Sequence, residues 1–73
     1  MQPYSVDLVK AGQATINASY TEAGREPDSL TGADWIGRTV YDYCAGMAWA
    51  VSLRKHENEC RSELGLPLLP PLS

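Results

Sequence analysis

Apolar residues recur at spacings of three and four across residues 30–64, a periodicity that predicts one long amphipathic helix. Ile36, Val40, Tyr43, Cys44, Met47 and Val51 fall on one stripe of that helix. A second, sparser stripe carries Trp35, Trp49, Leu53 and Cys60, with Asp42 and Gly46 on the same side. So short a chain offers this second stripe no obvious internal partner, which makes it a candidate surface for a homodimer or a docking partner. Thr31-Gly32-Ala33-Asp34 fits a capping box at the helix start, with Asp34 a shorter stand-in for the usual Glu or Gln. At the far end Arg54, Lys55 and Arg61 complement the negative end of the helix dipole. Gly65 suits the position just past the helix, and Pro67 prevents its continuation.

Residues 4–20 support two readings. With period two, Tyr4, Val6 and Leu8 share one face, and Ala14, Ile16, Ala18 and Tyr20 share another. Ala11-Gly12 then supplies a turn between two strands, and Thr15, Ile16, Tyr20 and Thr21 favour strand. With period 3.6, Leu8, Gly12, Ile16 and Tyr20 line up instead, Ser5 becomes an N-cap, and the result is a helical hairpin. The β-hairpin is preferred. The expected fold class is therefore α+β: an N-terminal β-hairpin packed on one long α-helix, followed by a disordered proline-rich tail. Residues 1–64 form the single small domain and residues 65–73 the tail, where three prolines disfavour regular structure. The Pro67-x-x-Pro70 spacing matches ligands of proline-binding grooves, although a frayed terminus is the simpler reading.

At 73 residues the chain has room for one modest core. Chains of this size bury only about 60% of their unfolded surface. Two cysteines do not make a disulfide framework. The opening Met1-Gln2-Pro3-Tyr4 lacks a basic segment followed by an apolar run, so no signal peptide is expected. The longest apolar stretch, residues 44–53, is interrupted by Ser52 and is far short of the ~20 residues of a membrane span. A cytoplasmic location without membrane contact follows as the expectation. Six basic against nine acidic residues give a net charge of −3. Glu22, Glu26, Asp28, Asp34 and Asp42 outnumber Arg25 and Arg38 across residues 22–42, a segment that would repel a phosphate backbone. No direct nucleic-acid binding is expected; the charge suits a basic protein partner.

The residues offer little for catalysis. A hydrolase triad would need His56 as its base, yet His56 sits in a charged helical turn and reads as a solvated histidine near a helix end. Glu57 and Glu59 point to different sides of a helix. His56 and Cys60 are four apart and could share an ion, but Cys44 lies about 24 Å away along an intact helix and no C-x-x-C pair exists. The same distance rules out a Cys44–Cys60 disulfide unless the helix breaks. No phosphate-cradling glycine loop occurs. The expectation is a non-enzyme without metal or cofactor. Surface chemistry remains: Trp35, Trp49, Tyr4, Tyr20, Tyr41 and Tyr43, with no phenylalanine, are residue types common at binding hot spots.

In its length, its N-terminal YSVDLVKAG segment, its helical DWIGRTVYDYC segment and its apolar proline tail, the whole chain resembles the small transcription regulators of lytic Xanthomonas phages. The resemblance implies binding to the large subunits of host RNA polymerase near the RNA exit channel. It also implies displacement of the sigma factor, inhibition of initiation, and antitermination in cooperation with the elongation factor NusA. Tyr4, Asp7, Lys10, Tyr20 and Glu22 are the candidate partner-binding residues, chosen for exposure and chemistry: the acids to meet a basic helix, the tyrosines to supply area. The chain is expected to be a monomer in isolation. Two other functions remain open: a phage anti-defence inhibitor acting by protein–protein binding, and a small self-assembling structural protein.

Overall fold

The computed structural model describes residues 5–27 and 29–72 and is built from helices alone. Helix α1 spans Val6–Glu22, α2 spans Ser29–Cys44 and α3 spans Trp49–Leu64, and each packs on the other two. The α+β expectation is thus overturned: the described residues contain no strand, and the segment read as a β-hairpin is α1.

The helical alternative for that segment was the correct one, and its physical basis is local. The Ser5 hydroxyl accepts from the Leu8 amide at 3.1 Å and caps the first turn. Thr15 and Thr21, which favour strand by propensity, instead return their hydroxyl protons to the carbonyls of Ala11 and Asn17 one turn back. The buried positions Gly12, Ile16 and Ser19 recur with helical spacing. Gly12 is no turn. It lies where α1 crosses the other helices, and a Cβ there would stand 3.0 Å from Ile36 Cδ1 and 3.2 Å from Trp49 Cζ2.

The expected single helix over residues 30–64 is also corrected, because it breaks at Gly46. That residue has φ 107°, and the Gly46 and Met47 amides close the end of α2 on the carbonyls of Tyr43 and Asp42. At the other end α2 begins at Ser29, so Thr31 lies inside the helix rather than capping it. The end of α3 does match the sequence expectation: Gly65 is left-handed at φ 78°, and Leu66 N–H bonds the Arg61 carbonyl.

The reversal lays α3 back along α2. Ser52 Oγ donates to the Thr39 carbonyl at 3.0 Å, and Thr39 Oγ1 to the Trp35 carbonyl at 3.0 Å, all in the interior. Ile16, Trp35, Ile36 and Cys60 form the core, flanked by Val9, Tyr20, Val40, Leu53 and Leu64. The stripe that seemed to lack a partner therefore supplies much of the core. Trp35 and Cys60 are buried, while Trp49 meets Tyr43 edge-on at 5.5 Å. The break does not bring the cysteines together: both are free, Cys44 exposed and Cys60 buried.

The segment expected to be a disordered tail is described as far as residue 72 and lies against α3. Gly65 turns the chain back, and residues 66–72 run along α3, held by side chains of that helix. No described helix is long and apolar enough to cross a membrane.

Two substitutions test this architecture. Gly46→Ala forces an L-residue into a positive-φ turn and should cost about 1–3 kcal/mol. At about 4–8 °C per kcal/mol for a domain of this size, thermal melting resolves the change. Gly12→Leu drives extra carbons into Ile36 and Trp49 and should destabilise by about 1–3 kcal/mol in urea titration. An unchanged midpoint for either would argue against the corresponding crossing or turn.

Candidate functional site

On α2, Asp34, Arg38 and Asp42 fall four residues apart and share one face. On α3, Lys55, His56 and Glu59 occupy the facing turns. Between the two helices lies an open cleft of about 640 Å³, whose walls also include Gly37 and Tyr41.

One carboxylate oxygen organises the floor of this cleft. Asp42 Oδ2 accepts from Lys55 Nζ at 2.9 Å and from His56 Nε2 at 2.8 Å. A carboxylate can only accept, so Nε2 carries a proton in this arrangement. His56 is 5% exposed and its Nδ1 faces Glu59 Oε2 at 3.5 Å, too long and misdirected for a hydrogen bond, which leaves Nδ1 without a hydrogen-bond partner. The expectation of a solvated His56 is therefore incorrect: the break at Gly46 carries it inward against Asp42 and within 6.5 Å of the Trp35 ring.

The bonds from Lys55 and then from His56 hold the Asp42 carboxyl below its ordinary pKa, and the Asp42 contact raises that of Lys55. At the other end of the cleft Arg38 lies over the Trp35 ring, 4.8 Å from its centroid, and pairs with Asp34 at 3.0 Å. Tyr41 is 76% exposed there, more than any other large hydrophobic side chain among the described residues.

The other unusual environment surrounds Cys60. Burial pushes its thiol pKa up, against a hydrogen bond from Tyr20 that acts the other way. Burial likewise raises Tyr20, opposed by a hydrogen bond from Trp35. His56 and Cys60, read as a conceivable ligand pair, are thus tied into different surroundings. Among the described residues no group of three His, Cys, Asp or Glu side chains is placed to hold a metal ion.

The five partner-binding candidates do not form one patch. Asp7 and Lys10 are exposed at the start of α1, while Tyr20 and Glu22 lie at its end, about 20 Å away at 1.5 Å per residue. Tyr20 is half-buried against the core, and Glu22 pairs with Arg61 at 2.9 Å. Tyr4 lies outside the described residues. The groups that do converge, Asp42 and His56, were missed because their meeting requires the helix break. The available signal was the Ala45-Gly46 dipeptide, a plausible helix stop embedded in an otherwise helical pattern. Comparison with protein-family models, with curated proteins and with solved structures finds no match to this chain.

The two pKa shifts define the pH response. Asp42 stabilises the fold above its ordinary value of about 3.9 and loses that contribution as pH falls through its lower folded value. Lys55 stabilises below its ordinary value of about 10.4 and loses that contribution as pH rises through its higher folded value. Asp42→Asn should therefore be less stable than the parent at pH 7, with the gap closing in acid. Urea titrations at both pH values test this; a gap that persists at low pH would show that Asp42 acts through packing instead.

Proposed function

We propose that this chain is a phage transcription regulator that acts by binding, in the host cytoplasm, to the large subunits of bacterial RNA polymerase. In this reading it displaces the sigma factor, inhibits initiation, and promotes antitermination at the RNA exit channel together with NusA. The reading rests on the resemblance of the YSVDLVKAG and DWIGRTVYDYC segments. The observation that carries it furthest is the exposed edge that the first segment presents at Val6, Asp7 and Lys10. Val6 is 61% exposed, beside exposed Asp7 and Lys10 in the opening turns of α1. These side chains lie outside the core, and their opposite charges give the edge a pattern that a charged partner surface can complement.

Two further features agree with action by binding. His56 turns its ring nitrogens toward the carboxylates of Asp42 and Glu59 rather than toward a hydroxyl or thiol, an arrangement suited to positioning charge. Tyr41 and Arg38, residue types that often dominate interfaces, stand at the mouth of the α2–α3 cleft. The self-assembly reading loses the feature that suggested it, because the tryptophan stripe is largely covered within the monomer.

Binding of purified chain to polymerase core and holoenzyme, with sigma release followed by mass, tests the proposal. Asp7→Lys combined with Lys10→Glu should weaken core binding by about tenfold, equivalent to about 1.4 kcal/mol, without moving the melting temperature. Wild-type binding with unchanged affinity in the double variant would remove the α1 edge from the contact. Absence of any polymerase binding would sink the reading.

A further inference from the structure

The proline tail is held through its backbone. Asn58, on α3, receives the Leu69 N–H at Oδ1 and donates from Nδ2 to the Leu69 carbonyl, both at 2.9 Å. Three residues along the helix, Arg61 Nε donates to the Pro67 carbonyl at 2.8 Å. Four residues the other way, Arg54 donates to the Pro70 carbonyl. Arg54, Asn58 and Arg61 share one face, and the chain they grip runs antiparallel to α3.

This pattern suits a proline-containing segment. Pro67 and Pro70 have no N–H to offer, so their carbonyls are the groups left to recognise, and two arginines supply the donors. Leu69, between them, has both groups, and an amide side chain meets both. The neighbours of Asn58 also have partners outside the tail: Arg54 Nε is paired with Glu57 at 3.1 Å, and Arg61 with Glu22 at 2.9 Å. Of the tail leucines, Leu68 and Leu72 remain 62% and 53% exposed, while Leu66 and Leu69 are half-buried.

We propose that the Arg54–Asn58–Arg61 face of α3 is a peptide-binding site for extended Pro-x-x-Pro segments, filled in this chain by its own tail. The Pro67-x-x-Pro70 motif is then the ligand of a groove in the same molecule, and the tail sequence supplied on another chain occupies the same site once the resident copy is released. Residence in cis is favoured by the short connection through Gly65, which presents the tail at an effective concentration on the order of millimolar.

Leu69→Pro provides the test, because it removes the one amide proton that Asn58 accepts and lies outside the core. The probe is a synthetic peptide of residues 65–73, titrated into isotope-labelled full-length chain and followed by amide chemical shifts. The peptide should bind the Leu69→Pro chain saturably and at least about tenfold more tightly than it binds the wild-type chain, where the resident tail competes. Adding Asn58→Ala should abolish that binding, and a peptide carrying Leu69→Pro should not bind. In the unaltered chain, the Leu69 amide should exchange with solvent more slowly than an unstructured amide. This second measurement needs no variant. Failure of the peptide to bind, binding indifferent to Asn58→Ala, or a Leu69 amide that exchanges freely would each overturn the proposal. None of these outcomes depends on polymerase binding.

Discussion

At Gly46 the backbone takes φ 107°, and the amides of Gly46 and Met47 turn back onto the carbonyls of Tyr43 and Asp42. The packing of α3 on α2, and with it the core, depends on that reversal. A side chain at this φ would be strained, so the absence of a Cβ allows α2 to stop and α3 to return alongside it. Small side chains then let the two helices approach: Ser52 reaches the Thr39 carbonyl, and Thr39 satisfies its own hydroxyl on the preceding turn. Both hydroxyls are buried, so these bonds also avoid the cost of unpaired polar groups.

The third wall of the core is α1, and its approach depends on a second glycine used differently. Gly12 remains helical and offers empty space to Ile36 and Trp49, which brings Ile16 into the centre beside Trp35 and Cys60. Arg61 ties the assembly from the other side. Its guanidinium pairs with Glu22 on α1 and donates to Pro67 in the tail, so one buried cation links two helices and the returning chain. A charge so placed is stable only because its donors are matched by a carboxylate and a carbonyl.

The polar cleft follows from the same geometry. With α3 folded back, Asp42 from the last turns of α2 faces Lys55 and His56, residues that a continuous helix would hold about 20 Å away. Its carboxylate gathers two donors on one oxygen and is held in its charged form. The opposite face of α3 grips the tail, so this one helix carries a charge network on one side and a backbone-reading row on the other.

Local features of the chain determined the helical character of residues 29–44 and 49–64, the stop at Gly65 and the Ser5 cap that goes with a helical first segment, because each rests on contacts within a few residues. Tertiary structure decided the rest. Ala11-Gly12 and Ala45-Gly46 are the same dipeptide, yet the first stays inside a helix and the second ends one. What separates them is what each glycine meets: Ile36 and Trp49 at Gly12, and nothing within 4 Å at Gly46, where the positive φ itself is the requirement. The pairing of Asp42 with His56, the burial of Trp35 and Cys60, and the docking of the tail on Asn58 all join residues more than ten positions apart. Periodicity reports which side of a helix a residue occupies; which helix comes to lie against that side depends on where the chain turns.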